Sequence, residues 1–320
     1  MRRLFAAVLL GASLGTTAAL AAYPDRGVKI VVPYPAGQTT DVIARVVGQE
    51  LGEAMGQAFF VDNRGGAGGI IGMETAKRAD PDGYTLLMSA SGPIAINPGL
   101  YSKLPYDAQK DYEPVALVAM VPLFLVVRSD FPANSVPELL DYVRKRPGKL
   151  NYGSGGSGLT NHLTMEMFKS QAKLEMTHVP YRGASAALTG LIAGDVAMMF
   201  EAGPAIMPHV KAGTLKVLGV GGREPARAFP QARPVADQGV PGFEAQAWIA
   251  LMAPAGTPAA VLEQLNAATR KALARPDLQD KLAQQGAETV SIGREEARQF
   301  IAREIGVWGQ AVKTSGARVD

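Results

Sequence analysis

Cysteine is absent from the 320-residue sequence, which excludes disulfide bonds and thiolate metal sites. Histidine is scarce as well: the chain has three, His162, His178 and His209, and none shows the spacing of a metal-ligand pair. We therefore predict that packing alone stabilises the fold. We also predict that the protein binds no metal and carries no cofactor.

The sequence also lacks a large excess of charge of one sign and a second long hydrophobic run. The formal net charge of +3 includes two arginines at the extreme N-terminus, and the other Lys and Arg residues are scattered without interleaved aromatics. This distribution gives no reason to expect a nucleic-acid partner. No window beyond the N-terminus is long and apolar enough to cross a bilayer, so we predict that the protein is not membrane-embedded.

Motifs for catalysis are missing too. No P-loop or HExxH occurs, and Ser157 lacks the downstream glycine of G-x-S-x-G. Residues 153–158 do match G-x-G-x-x-G, with Glu175 near the offset of a ribose-binding acid, but serine-rich turns match this pattern easily. The lack of a nucleophile–base pair favours a binding protein over an enzyme. An exported enzyme acting on a small anion or a nucleotide remains the alternative.

The N-terminus has the pattern of a secretory signal peptide over residues 1–21. Arg2 and Arg3 form the charged region, residues 4–14 form the apolar region, and residues 19–21 form an A-x-A cleavage site. We predict cleavage after Ala21 and export to the periplasm. The remaining chain of about 300 residues suits two domains.

Strand-like and helix-like segments alternate along the exported part of the chain. Residues 28–32, 58–62 and 84–89 are typical of buried strands, and residues 41–55 of a helix, which predicts a parallel sheet wrapped by helices. Two apolar extended segments, one of them residues 115–127 with Pro122 interrupting it, separate a second α/β set from the first. We therefore predict two α/β lobes, residues 22–122 plus 245–320 and residues 123–244, with the second inserted into the first.

Two glycine-containing turns precede helices. In residues 151–158 a strand runs into a Gly- and Ser-rich turn, and in residues 35–40 a similar turn leads to a helix that Thr39 or Thr40 caps. Such turns present N–H groups and the positive end of a helix dipole, which together suit a carboxylate or phosphate. They also serve as plain connectors. Two of them in one chain favour a ligand held between the lobes.

Two further positions, Glu201 and His162, are ambiguous. Glu201 ends an apolar strand, so its carboxylate either faces the cleft or is a hydrogen-bonded loop acid. His162 either touches the ligand or holds the preceding turn in place. The turn at residues 181–185 has backbone groups that complete the cleft, while Trp248 suits packing rather than ligand contact.

Several motifs resemble the receptors of tripartite tricarboxylate transporters, also called Bug proteins. Residues 32–41 resemble the family loop P-[FY]-P-A-G-G-x-T-D, and matching segments follow in the same order over nearly the whole exported chain: Asn63-Arg64, residues 66–69, 81–86, 178–183 and 253–258. The loop departs from the family at Gln38, which replaces the second glycine, and Gly65 replaces a common proline. The first departure leaves the identity of the ligand open.

The resemblance implies a two-lobed periplasmic binding protein of type II, a Venus-flytrap fold, in which backbone amides, hydroxyls and ordered waters grip a carboxylate. It implies small-carboxylate uptake with transporter membrane subunits as partners; a sensor serving a signalling partner is another alternative. We expect a monomer. The predicted ligand-binding residues are Tyr34, Ala36, Gly37, Gln38, Thr39, Thr40, Ser89, Ser91, Ser154, Gly155, Gly156, Ser157, His162, Tyr181, Gly183, Ala184 and Glu201. No catalytic residue is predicted.

Overall fold

The computed structural model describes residues 23–319 of the chain. The predicted signal peptide, residues 1–21, lies outside this range. Within the described residues, no helix combines the length and the apolarity that a membrane span requires.

Strands and helices alternate through both halves of the described chain. The strands are β1 (Val28–Val32), β2 (Phe59–Asn63), β3 (Thr85–Ala90), β4 (Tyr112–Arg128), β5 (Asn151–Ser154), β6 (Thr177–Pro180), β7 (Met198–Ala202), β8 (Leu215–Val220), β9 (Gln246–Pro254) and β10 (Glu288–Thr289). The helices are α1 (Thr39–Met55), α2 (Ile70–Lys77), α3 (Asn97–Leu100), α4 (Val136–Arg144), α5 (Thr160–Ala172), α6 (Ala184–Ala193), α7 (Gly203–Lys211), α8 (Ala259–Leu273), α9 (Pro276–Gln284) and α10 (Arg294–Ser315). A π-helical turn, Gly92–Ile96, leads into α3.

The strands join in the order β2-β1-β3-β9-β4-β7-β5-β6, while β8 and β10 pair with β4. Strand β1 is parallel to β2 and β3, and β5 is parallel to β6 and β7, which confirms the predicted parallel arrangement within each set. We call β1–β3 with α1–α3 the first lobe and β5–β8 with α4–α7 the second lobe. The apolar run of β1 is nearly fully buried because helices cover both faces of a parallel sheet.

Strand β4 connects the lobes. Its residues Tyr112–Pro122 pair with β9, and its remaining residues pair with β7 and β8. The prediction that Pro122 interrupts this run is wrong, because β4 is continuous over 17 residues. Proline has no N–H to give to a ladder, and Pro122 stands where the strand exchanges one set of partners for the other.

The start of α1 differs from the sequence-based expectation. The capping position is Gln38 rather than Thr39 or Thr40, and its side chain makes no capping hydrogen bond. Asp41, inside the first turn, reaches back to the preceding loop instead: its Oδ2 accepts the N–H of Gly37, two residues before the helix, at 2.8 Å. The start of the helix therefore has no side-chain cap. The predicted end of this helix at residue 55 is confirmed, and Gly56 follows it with φ +73°.

Helix α10 packs against α3 of the first lobe and α5 of the second. At its centre, the carboxylate of Glu304 accepts the indole N–H of Trp248 at 2.9 Å and that of Trp308 at 3.0 Å. Burial raises the pKa of Glu304, although both indole bonds oppose the rise. Trp248 is fully buried, as expected for packing.

Helix α2 approaches the loop after β1 closely, and a glycine allows this approach. A Cβ built on Gly72 would lie 2.6 Å from Cα of Pro33 and 2.8 Å from the carbonyl oxygen of Arg64. Both neighbours are backbone atoms, so neither side can yield without moving the loop that carries Pro33.

We predict that Gly72→Ala destabilises the protein by about 1–3 kcal/mol, because the added methyl group overpacks against backbone. Gly306→Ala is the matched control, since Gly306 is exposed in α10 and a Cβ there meets nothing within 4 Å. The control should be neutral or stabilising by up to about 1 kcal/mol through helix propensity. Urea unfolding of both variants measures the difference. Equal free energies of unfolding would contradict the close packing at Gly72.

Candidate functional site

A cavity of about 550 Å³ lies between the two lobes, next to β4 and its partner β9, which we call the crossing strands. It is lined by Pro33, Tyr34, Pro35, Gln38, Gly66, Gly68, Gly69, Ala90, Ser91, Gly92, Pro93, Ile96, Asn97, Leu100, Tyr101, Leu123, Ser157, Gly158, Leu159, Thr160, Asn161, Glu201, Ala247 and Val319. Residues that are far apart in sequence therefore form one lined space, with loops of each lobe on opposite sides.

The predicted site residues divide into two groups. Five of them line the cavity: Tyr34, Gln38, Ser91, Ser157 and Glu201. The others are not among the lining residues: Ala36, Gly37, Thr39, Thr40, Ser89, Ser154, Gly155, Gly156, His162, Tyr181, Gly183 and Ala184. The turn at residues 181–185, which the sequence placed at the cleft, contributes no lining residue.

Ser91 is the most distinctive polar group of the first-lobe wall. It stands between β3 and the π-helical turn, its residue is 1% exposed, and it lines the cavity. Among residues 23–319, its Oγ has no hydrogen-bond partner, and the same is true of the neighbouring Ser89. A buried hydroxyl without a partner is costly, and Ser91 is the one of these two serines that also lines the cavity.

The π-helical turn beside Ser91 is fixed by a small polar network that the sequence did not reveal. The Asn97 side chain donates to the carbonyl of Gly68 at 3.0 Å and lies 3.3 Å from the Tyr106 hydroxyl. Tyr106 in turn donates to the carbonyl of Pro93 at 2.6 Å. These bonds tie two lining segments, the glycine turn before α2 and the π-helical turn, to each other.

The loop before α1 is organised from behind by Asp41. Its carboxylate accepts from Gly37 N–H, from the Asn63 side chain at 2.9 Å and from Arg45, and Asn63 also donates to the carbonyl of Tyr34 at 3.1 Å. Burial favours the neutral acid, but the hydrogen bonds from Arg45, Gly37 and Asn63 outweigh it and hold the pKa of Asp41 below its usual value. Asp41 therefore shapes the loop, and Tyr34 and Gln38 face the cavity.

On the opposite wall, two buried side chains hold the Gly- and Ser-rich turn. The Oγ of Ser154 accepts the N–H of Gly156 at 3.2 Å and lies 2.6 Å from Nε2 of His178. Nδ1 of His162 accepts the N–H of Gly158 at 3.0 Å. Two roles were considered for His162, contact with the ligand and support of the turn, and this hydrogen bond supports the turn. Two of the turn's N–H groups are thus engaged within the protein.

Three aromatic rings stack behind this turn. The ring centroid of His178 lies 4.9 Å from that of Tyr152 and 3.9 Å from that of His162. Glu166 faces the stack: it accepts from the Tyr152 hydroxyl and from Nζ of Lys169. Burial, with the charge of a protonated His162 beside it, lowers the pKa of His178 to about 4, and burial also lowers the pKa of His162. Both imidazoles are therefore neutral at physiological pH.

Helix α5 begins at the cavity without a side-chain cap, and its first residues Thr160 and Asn161 line the space. The side chain of Asn161 donates to Oε2 of Glu201 at 3.2 Å. Oε1 of Glu201 accepts the N–H of Ala202 at 2.9 Å. Burial raises the pKa of Glu201, and these two hydrogen bonds oppose the rise only in part.

Sequence reasoning missed Asn161 and the lining segments 66–69 and 92–101. The glycines at 66–69 were visible as a turn, but nothing local places them against β3 and the second lobe. Within the described residues, no cluster of His, Asp and Glu has the composition of a metal site.

Comparison with known proteins identifies the family. The model of the tripartite tricarboxylate transporter family receptors matches residues 43–317 of the chain. The protein BugT of Bordetella pertussis is 35% identical over 100% of this chain and 99% of its own length. The chain belongs to the tripartite tricarboxylate transporter receptor family.

Solved structures agree with this assignment. The R. palustris protein Rpa4515 with adipate is 34% identical, covers 93% of this chain and 100% of its own, and has a TM-score of 0.78. MatC from Rhodopseudomonas palustris with bound malate is 31% identical, covers 91% of this chain and 100% of its own, and has a TM-score of 0.73. This receptor therefore has the two-lobed α/β architecture of the periplasmic solute-binding proteins, as the sequence predicted.

For this receptor we predict a loss of stability in acid that depends on His178. Its folded pKa of about 4 lies below the ordinary value of about 6.5. The contribution of neutral His178 to the free energy of unfolding is therefore complete above about pH 6.5 and is lost as the pH falls towards 4.

The test compares the wild type with His178→Gln, which keeps a polar group near Ser154 but does not titrate. Between pH 7 and pH 4.5 the wild type should lose about 1–2 kcal/mol more of its free energy of unfolding than the variant, after allowance for the partial exposure of the ring. Chemical denaturation at both pH values measures this. Parallel losses in the two proteins would show that His178 does not titrate across this range.

Proposed function

We propose that the protein is a periplasmic receptor that captures a small organic carboxylate in the cavity between its lobes. It then delivers the ligand to the membrane subunits of a tripartite transporter. Family membership supports the receptor role, and relatives solved with adipate and with malate support the ligand class. The single observation that carries the proposal is the buried, unpartnered hydroxyl of Ser91 at the cavity wall.

The first-lobe wall has the chemistry of a neutral anion site. Helix α1 starts there without a side-chain cap, so N–H groups of its first turn and the positive end of its dipole face the loop that carries Gln38. Ser91 adds a hydroxyl donor, and Tyr34 adds a phenol whose pKa burial raises, so it stays protonated. We propose that the carboxylate binds among these donors, since hydrogen bonds to a charged group are stronger than neutral ones.

We propose that the lobes include more of the chain than the elements that define them above, with the boundaries predicted from the sequence. The first lobe is then residues 22–122 plus 245–320, which adds β9 and α8–α10, and the second is residues 123–244. The exchange of β4 partners after Pro122 supports the first boundary. Leu123 and Ala247, on the two crossing strands, line the cavity, so movement of one lobe on the other changes its shape. We further propose that the receptor acts as a monomer in the periplasm, after removal of residues 1–21.

Binding is better supported than catalysis. The G-x-G-x-x-G match of residues 153–158 would suit a nucleotide, yet the N–H groups of Gly156 and Gly158 are already bound by Ser154 and His162. A pyrophosphate would find fewer donors there than in a dinucleotide-binding turn. Recovery of the ligand unchanged after incubation, followed by mass spectrometry, separates a receptor from an exported enzyme.

We predict that binding requires the ligand's carboxylate and the Ser91 hydroxyl. Calorimetry should detect binding within a panel of hexanoate, adipate, malate and 6-aminohexanoate, and conversion of the anchoring carboxylate to an amide should abolish it. Ser91→Ala should weaken the best ligand by about 1.5–3 kcal/mol, the scale of a hydrogen bond to a charged group.

Thr164→Val is the matched control. Thr164 also has a buried, unpartnered hydroxyl within the described residues, but it lies in α5 and does not line the cavity. Its removal should leave the dissociation constant unchanged. Equal affinity for acid and amide would contradict the carboxylate assignment, whereas equal effects of the two substitutions would show that Ser91 does not contact the ligand.

A further inference from the structure

The cavity is electrically asymmetric. Among its lining residues in the described part of the chain, Glu201 is the only side chain with a formal charge. The first-lobe wall offers hydroxyls and helix-start N–H groups instead, for example at Ser91 and Gln38. A ligand that spans the cavity therefore meets neutral donors at one end and an acid at the other.

Within the described part of the chain, Glu201 is a buried acid without a basic partner, and unlike Glu304, which two indoles hold outside the cavity, it lines the cavity. Glu50 pairs with Arg275, and Glu166 pairs with Lys169 at 2.7 Å. No Lys, Arg or His within residues 23–319 lies within 4.0 Å of the Glu201 carboxylate, although its residue is only 7% exposed. Removing a carboxylate from water is costly unless a positive group pairs with it.

The hydrogen bonds around Glu201 suit its ionised form. The carbonyl oxygen of the Asn161 side chain accepts the N–H of His162 at 2.9 Å, which turns the amide NH₂ towards Oε2 of Glu201. The N–H of Ala202 occupies Oε1. Both carboxylate oxygens therefore accept, as an ionised carboxylate requires, while burial favours the neutral acid. A cation at this point would settle the balance in favour of the ionised form.

We propose that the ligand is an amino carboxylate, whose carboxylate binds at the Ser91 wall and whose ammonium binds Glu201. This rests on the proposed function of the same cavity. An ammonium offers three donors and the positive charge that Glu201 lacks. A hydroxyl in its place would give one hydrogen bond without charge. A second carboxylate would meet Glu201 as a like charge in a poorly solvated space.

The test measures binding of acids that share a chain length but differ at the far end. The series is 6-aminohexanoate, 6-hydroxyhexanoate, hexanoate and adipate, with a shorter series of 4-aminobutanoate, butanoate and succinate. The proteins are the wild type, Glu201→Gln and Glu304→Gln. Glu304 is the matched control, because its carboxyl is also buried with a raised pKa but is held by two indoles outside the cavity lining.

In one of the two series, the wild type should bind the amino acid at least about 10-fold more tightly than the plain acid and the diacid. Glu201→Gln should remove that preference, weaken the amino acid by about 10-fold or more, and bind the diacid more tightly than the wild type does. Glu304→Gln should keep the wild-type ranking. The ranking in the wild type tests the proposal even if a variant does not fold.

Two results would overturn the proposal. The first is that wild type and Glu201→Gln rank the acids of a series in the same order of affinity. The second is a wild-type preference for the diacid that Glu201→Gln loses, which would show that Glu201 is a neutral donor. If none of the three proteins bound any of these acids or malate, the proposed carboxylate function itself would be overturned. That outcome is distinct from a failure of the ammonium–Glu201 proposal, in which carboxylates bind without the expected preference.

Discussion

The N–H and C=O groups of one apolar strand, β4, are hydrogen-bonded to two different sets of strands. The arrangement of the two lobes and of the cavity depends on this constraint. The first part of β4 pairs with β9, and its last part pairs with β7 and β8. Because it is buried along almost its whole length, neither part can leave its ladder without exposing unpaired N–H and C=O groups. The lobes are therefore joined by continuous sheet, and the cavity forms beside the point where the partners change.

The walls of that cavity are built from behind by buried polar groups. Asp41 fixes the first loop, Asn97 fixes the π-helical turn, and His162 and Ser154 fix the opposite turn. These hydrogen bonds join groups within each wall, and they leave the Ser91 hydroxyl without an internal partner among the described residues. Lining residues that make none of these bonds, such as Gln38 and Leu123, can therefore vary without loss of the loop geometry.

The sequence predicted the lobes, most strands and the glycine turns, because these depend on local patterns: apolar runs, helix stops and residues that accept positive φ. It did not predict which N–H groups of a turn are already engaged, since His162 Nδ1 reaches Gly158 through the geometry of the helix start. It placed a helix cap at Thr39 or Thr40, whereas a neighbouring carboxylate, Asp41, organises that turn. It could not bring Asn161 to Glu201, which lies 40 positions further along the chain, because only the assembled sheet makes them neighbours.

The two indoles share one hydrogen-bond acceptor, Glu304, and this determines what tryptophan fluorescence reports. The chain contains two tryptophans, Trp248 on β9 and Trp308 on α10, and both donate to one carboxylate of Glu304. Neither indole is among the described residues that line the cavity, so a molecule confined to the cavity would not contact them. Intrinsic fluorescence of this protein therefore reports on the junction between a crossing strand and the long C-terminal helix. A spectral change on titration would register displacement of one against the other rather than direct quenching.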